Sequence, residues 1–165
     1  MSDPSRGWRR GLQRAAIVYE SKYGNTAQVA EAIREALRGA GVPEVVSMKV
    51  DSANVNRVAT FDAILVGSPN HIGGPTRRVK KFIRSLAAFD LSGKRLAFFD
   101  TYIGGDFGKA VAKMEIEFKA RNQGALVVTP GLSLRVDGMK GPVAEGELVK
   151  GAAFAKLVAE QTIDA

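Results

Sequence analysis

Residues 15–37 read AAIVYESKYGNTAQVAEAIREAL, and the change of pattern inside this stretch decides the fold. Residues 15–19 are a short apolar run, SKYGNT (21–26) is a polar turn, and Ala27, Ala30, Ile33 and Leu37 then recur at helical spacing. Strand, hydroxyl-rich loop and helix in that order make a phosphate cradle. The first turn of a helix presents unpaired N–H groups and the positive end of the helix dipole. Gly24 is able to take a left-handed turn, and the hydroxyls and amide around it add neutral donors for a dianionic phosphate. The same residues also describe a capped helix start, with Asn25 or Thr26 as N-cap and Gly24 as the turn residue. What separates the two is whether the remaining chain builds a ligand site at the same edge.

Outward from that stretch, Gly39 and Gly41 end the helix and residues 45–50 form a second strand. Residues 51–60 leave room only for a short helix or an irregular crossover. FDAILVG (61–67) is a continuous apolar run, the mark of a strand buried on both faces of a parallel sheet. It opens into a Gly/Pro/Asn loop, SPNHIGGPT (68–76), followed by a helix over about 76–88 with Val79, Phe82, Ile83 and Leu86 inward. A fourth strand over 95–99 enters a second Gly-rich loop, DTYIGGDFG (100–108). A helix over 107–122 turns Ala110, Met114 and Phe118 inward and ends at Gly124. A fifth strand begins at 125–128 and continues through 132–134, and the last helix covers about 145–160. Strands alternating with helices through short connections specify an α/β fold, a doubly wound five-stranded parallel sheet. The pattern holds no internal repeat and no second domain, so one domain over 14–165 is expected behind a basic arm over 1–13.

Composition narrows the function. The 165 residues are 45% hydrophobic and 25% charged, ordinary for a globular chain. With no cysteine and one histidine, His71, thiolate chemistry and a thiolate or histidine metal site are not expected. The net charge is +7, of which Arg6, Arg9, Arg10 and Arg14 against Asp3 supply three. The remainder is moderate, and neither a nucleic-acid-binding module nor a row of aromatics accompanies it, so no nucleic-acid partner is expected. Arg9–Arg10 is followed by an apolar run of only 15–19, too short for an export core, and no run reaches membrane-spanning length. A cytoplasmic protein without membrane insertion is expected. Trp8 has no assignable role.

In doubly wound sheets ligands bind beyond the carboxyl ends of the strands, where the strand order reverses. The three most unusual loops follow the first, third and fourth strands. If they converge, the first holds a phosphate and the other two flank a flat ring, with His71, Ile72 and Tyr102 available to cover its faces. Rival sites fall away. There is no G-x-x-x-x-G-K-[ST] for a nucleotide triphosphate and no G-x-G-x-x-G after the first strand for a dinucleotide. The third strand does not end in the aspartate of a receiver domain, and the cysteine of a low-molecular-weight phosphatase is missing.

With these pieces in order, the chain resembles the short-chain flavodoxins. YESKYGNT resembles the family's phosphate loop, DAILVGSPNHIGG its third strand and first flavin loop, RLAFFDTYIGGDFG its fourth strand and second flavin loop, and GLSLRVDG its fifth-strand segment. The resemblance implies non-covalently bound FMN, one- or two-electron cycling of its isoalloxazine, strand order 2-1-3-4-5, and no catalytic residues of the protein's own. It implies that Ser21, Lys22, Tyr23, Gly24, Asn25 and Thr26 hold the ribityl phosphate. Ser68, Pro69, Asn70, His71, Ile72 and Gly73 would line one side of the ring, and Thr101, Tyr102, Ile103 and Gly104 the other, with Asp106 at the rim.

Three departures stand out. Tyr23 replaces the usual third hydroxyl residue of the phosphate loop, the first flavin loop has no tryptophan, and the chain is basic where typical flavodoxins are acidic. A basic surround stabilises the anionic, fully reduced flavin, so its potential should be less negative. The basic helix face Arg77, Arg78, Lys80, Lys81 and Arg84 offers a docking surface for an acidic redox-partner protein, or is simply solvated. Asp100 and Asp106 read equally as caps for turns and the next helix. The expected role is a carrier of electrons between cytoplasmic redox partners. The alternatives are an FMN-dependent NAD(P)H/quinone-type or protoporphyrinogen-type oxidoreductase, and a binding module of the same fold without FMN.

Overall fold

The computed structural model describes residues 11–160. Its strands are β1 (Arg14–Tyr19), β2 (Glu44–Lys49), β3 (Ala63–Pro69), β4 (Arg95–Tyr102), β5 (Leu126–Val127) and β6 (Leu132–Arg135). Its helices are α1 (Asn25–Gly39), α2 (Val55–Val58), α3 (Arg77–Ala87), α4 (Lys109–Lys119) and α5 (Lys150–Glu160). The sheet runs β2-β1-β3-β4-β5, with β6 also on β4, and every neighbouring pair is parallel.

The two-residue period of the strands sorts the core into two layers. Ala15 and Ile17 of β1, Ala63 and Leu65 of β3, and Ala97 and Phe99 of β4 pack against Val29, Ile33 and Leu37 of α1 and Phe154 and Val158 of α5. The intervening Ala16, Val18, Ile64, Val66, Leu96 and Phe98 pack against Val79, Ile83 and Leu86 of α3 and Met114 and Phe118 of α4. Both faces are therefore covered, which is why these strands read as unbroken apolar runs rather than alternating ones. Gly67 stands opposite Phe99 in the ladder, and a Cβ there would lie 2.1 Å from the Phe99 ring. A glycine inside a buried strand is thus explained by the aromatic ring beside it.

The structure departs from the sequence pattern at element ends. The fifth strand is two pieces: β5 pairs with Arg95 and Leu96 at the start of β4, and β6 with 99–102 at its end. Pro130 between them has no N–H for the ladder. β4 runs on through Asp100, Thr101 and Tyr102, so the second Gly-rich loop begins at Ile103. α4 starts only after Gly108, whose φ of 71° is left-handed. α5 starts at Lys150 rather than near Glu145, behind a run of turns in which Gly146 has φ 81°. The N-cap of α1 is Gly24 in the left-handed region, not Asn25 or Thr26, which are the first two helical residues.

At the amino-terminal side, Leu12 is buried in the α1/α5 layer, and the Gln13 and Arg14 N–H groups donate to Asp62 at 3.3 and 2.9 Å. Residues 1–10, where most of the expected basic arm and Trp8 fall, lie outside the described residues. No described helix is long and apolar enough to cross a membrane.

Candidate functional site

The carboxyl ends of β1, β3 and β4 meet where α1 leaves to one face of the sheet and α3 and α4 to the other. A cavity of about 890 Å³ opens there. It draws Ser21, Lys22, Tyr23, Asn25 and Thr26 from the first loop, and Pro69, Asn70, His71 and Ile72 from the second. Thr101, Tyr102, Ile103 and Asp106 come from the third. A volume in the range of small-molecule sites, shared by three loops, is what a switch point provides.

The first loop is organised by one hydroxyl. Ser21 Oγ accepts from the N–H groups of Gly24 (3.1 Å) and Ala27 (3.2 Å), and Gly24 turns the chain with φ 94°. Among the described residues, the N–H groups of Asn25 and Thr26 have no acceptor, so the helix start keeps free donors at the cavity. The buried Thr26 hydroxyl lies 2.9 Å from that of Thr101, joining the phosphate end of the cavity to the end of β4. Tyr23 stands out from the loop, its hydroxyl 3.7 Å from Met139 Sδ.

The second loop is a tight reversal. His71 and Gly74 exchange backbone hydrogen bonds of 2.7 and 3.2 Å, and the two residues between them, Ile72 and Gly73, have φ of 51° and 76°. Positive φ at both central residues is the geometry of a type I′ turn, and a β-branched residue adopts it only where the surroundings impose it. Ile72 is 90% exposed at the tip. Ser68 is fully buried beneath: its hydroxyl accepts from the Thr76 N–H at 3.0 Å and donates to the Pro69 carbonyl at 2.8 Å. The Thr76 hydroxyl in turn donates to Glu20.

The third loop is tied to the second and to the sheet. Asn70 Nδ2 donates to Asp106 at 2.9 Å and the Asn70 N–H to the Thr101 carbonyl at 2.7 Å. The Lys109 ammonium, bonded to Asp106 at 2.7 Å, holds the Asp106 carboxyl below the usual carboxylate range. Tyr102 packs edge-on to Phe107 at 5.5 Å. Asp100, fully buried, accepts from the Val111 N–H of α4 at 2.9 Å and from the Ser133 hydroxyl at 2.5 Å. Ser133 Oγ itself accepts from the Gly108 N–H at 2.9 Å. Burial pushes the Asp100 carboxyl up, and these donors offset part of the rise.

Of the residues singled out from the sequence, Gly24, Ser68, Gly73 and Gly104 do not line the cavity. The glycines, with φ of 94°, 76° and 64°, shape the turns, and Ser68 braces the loop from below. Residues not anticipated complete the walls: Glu20, Thr76, Arg77 and Arg78 on the α3 side, and Val136, Gly138 and Met139 opposite. The last three belong to an excursion over 136–143. Val136 and Val143 bridge there, and the Gly141 N–H closes a turn onto Gly138 at 2.9 Å. Gly141 sits so close to the phosphate loop that a Cβ would lie 2.4 Å from Asn25 Oδ1.

The donor set fits FMN. Neutral N–H and hydroxyl groups gather at a helix start, suited to a phosphate. Residues 69–72 and 101–103 supply walls from two neighbouring loops, and Asn70 Oδ1 is a buried acceptor with no partner among the described residues, suited to a ring N–H. The class of protein so defined is a mononucleotide-binding flavodoxin-like fold. The flavodoxin domain model matches residues 16–129, and the chain belongs to the flavodoxin family. It is 30% identical to a flavodoxin of Clostridium saccharobutylicum over 118 residues, 72% of this chain and 74% of that one. It is 30% identical to a flavodoxin of Aquifex aeolicus over 141 residues, 82% and 76% of the two chains. The structure matches oxidised flavodoxin 2 of Bacillus cereus with a TM-score of 0.74 and 26% identity, covering 89% of this chain and 98% of that one. FMN is the cofactor of this family, and electron transfer its function.

Proposed function

We propose that this chain carries electrons between cytoplasmic redox proteins, holding FMN non-covalently in the cavity described above. The observation that carries this reading is the meeting of three loops, from three adjacent strand ends, around one cavity of about 890 Å³. When bound, FMN supplies one- and two-electron chemistry, and the chain's own residues bind and orient it. Residues 21–26 hold the phosphate through the free N–H groups of Asn25 and Thr26 and the Ser21 hydroxyl. His71 and Ile72 cover one face of the ring and Tyr102 the other, while Asn70 Oδ1 accepts from the ring edge. Ile103, exposed at the mouth, leaves a path for an electron between ring and partner.

A carrier agrees with how the cavity's acids are engaged. Glu20 accepts from the Thr76 hydroxyl, and Asp106 is bonded to Lys109 and Asn70, so both acids are engaged in tying the loops together. The cations Arg77 and Lys80 on α3 favour an acidic partner. The test is an absorbance titration of the purified protein with FMN and then with stepwise reductant. Uptake at micromolar concentration and reduction in two separate one-electron stages are expected. Reduction in a single two-electron stage, with steady NAD(P)H oxidation on adding quinone, would refute the carrier in favour of a reductase.

A further inference from the structure

Seven large apolar side chains are exposed among the described residues, and six of them gather at one edge. Tyr23, Ile72, Ile103 and Met139 line the cavity, Phe107 packs on Tyr102, and Ile116 shares a second crevice with Ile72. Val149 has no such place among these residues. Such a concentration marks a surface that another molecule covers.

The second crevice, about 310 Å³, lies between α3 and α4 behind the 71–74 turn. Ile72, Pro75 and the 68%-exposed Ile116 make it apolar, and Lys80 and Lys113 flank it. Lys113 runs beneath the turn, its Cδ 3.1 Å from where a Gly74 Cβ would stand. The acids nearby are already engaged. Glu117 pairs with Arg84 and, at 3.0 Å, with Arg121, and Asp106 pairs with Lys109. Glu117 itself lines the crevice; the Arg84 hydrogen bond holds its carboxyl below its ordinary range, with the charges of Arg121 and Lys80 adding to the effect, so it stays ionised. Lys80 and Lys113 have no carboxylate within 4.0 Å among the described residues. The crevice is therefore apolar in the middle, with the Lys80 and Lys113 ammonium groups at its sides and the Glu117 carboxylate beside them held by Arg84 and Arg121.

We propose that this crevice seats an acidic–apolar segment of the redox partner, an aliphatic side chain against Ile116 and Pro75 with flanking carboxylates on Lys80 and Lys113. The inference rests on the electron-carrier reading and fixes where the partner docks. His71 and Ile72 line both the crevice and the cofactor cavity, so the partner packs on the outside of the turn whose inside faces the ring. That places donor and acceptor on either side of one short reversal.

The probe is an acidic plant-type [2Fe–2S] ferredoxin, reduced and mixed with FMN-loaded protein in a stopped-flow instrument. One electron leaves the reduced cluster and enters the oxidised flavin, and the second-order rate constant is read at low and high salt. The rate should fall with salt. Lys80→Glu and Lys113→Glu should each lower it about tenfold at low salt. Ile116→Ser should lower it several-fold with the salt slope retained. Lys81→Glu reverses the same charge on the same helix but outside the crevice, and should cost less than about twofold. Equal slowing by Lys81→Glu and Lys80→Glu, or no slowing by either crevice lysine, overturns the docking site. FMN affinity and reduction by dithionite are measured on every variant. If those are normal and the crevice has no effect, docking alone fails; if FMN is not taken up, the carrier and the docking site fail together.

Discussion

Replacing Asp100 by alanine should destabilise the protein by about 2–4 kcal/mol and loosen the loop that follows it. The side chain is fully buried and accepts two hydrogen bonds, from the Val111 N–H and the Ser133 hydroxyl. Each buried donor left unpaired costs about 1–3 kcal/mol, and removing a costly buried charge returns part of that. Asp100→Asn should cost less, because its Oδ1 still accepts from Val111 and its amide turns toward Ser133. The pH dependence has a definite sign. Burial raises the folded-state pKa above the unfolded value, so between the two the folded chain holds the extra proton. This group's contribution is greatest below the unfolded pKa and is lost as pH rises through the folded pKa. Asp100→Asn does not titrate, so relative to the parent it should gain stability as pH rises through that window. Urea unfolding followed by circular dichroism from pH 4 to 8 measures both effects, and a cost of 3 kcal/mol moves the midpoint by roughly 1–3 M at ordinary urea slopes. An alanine variant within about 0.5 kcal/mol of the parent, or a parent-to-asparagine difference flat with pH, would refute the reasoning.

Further outcomes follow from single contacts. Gly67→Ala drives a methyl into the Phe99 ring and should cost about 1–3 kcal/mol, partly recovered in the double variant with Phe99→Leu; thermal melts of the four proteins check the cycle. Asn70→Leu removes the unpaired Oδ1 and the bond to Asp106 and should weaken FMN binding about tenfold by fluorescence titration. Lys22 and Arg77 at the cavity favour the anionic reduced cofactor, whereas Arg78 is paired with Asp51, so spectroelectrochemistry should give a less negative low potential than in acidic flavodoxins, falling as salt screens the cations. A value as negative as theirs, unmoved by salt, would count against that electrostatic account.

The sequence made the three principal loops legible because each follows a strand that must be buried on both sides, and such strands announce themselves by unbroken apolar runs. The residues at the margins were harder. Glu20, Arg77 and Arg78 sit one or two places outside the loops and Thr76 is the last residue of its loop, and which way they turn depends on how α3 docks rather than on local pattern. Asp100 looked like the opening of a loop, because a carboxylate after Phe99 normally signals exposure; its partners come from α4 and β6, far along the chain. The 136–143 excursion left only Gly138, Gly141 and Pro142 as signals, which mark turns but not what the turns cover. Extending each Gly-rich loop by two residues would have caught Glu20, Arg77 and Arg78, while the excursion's place over the phosphate loop is a long-range contact that no local pattern encodes.

That excursion has a consequence for the order in which the molecule matures. Residues 136–139 meet the phosphate loop across more than a hundred residues, so a ribosome-bound chain lacking them has the cradle without its far wall. Cofactor capture is then an event of the finished chain. Because FMN would bind the assembled edge and not its separate pieces, each increment of free cofactor stabilises the entire domain by mass action. Cellular FMN supply and the lifetime of this protein against proteolysis are thereby expected to rise and fall together.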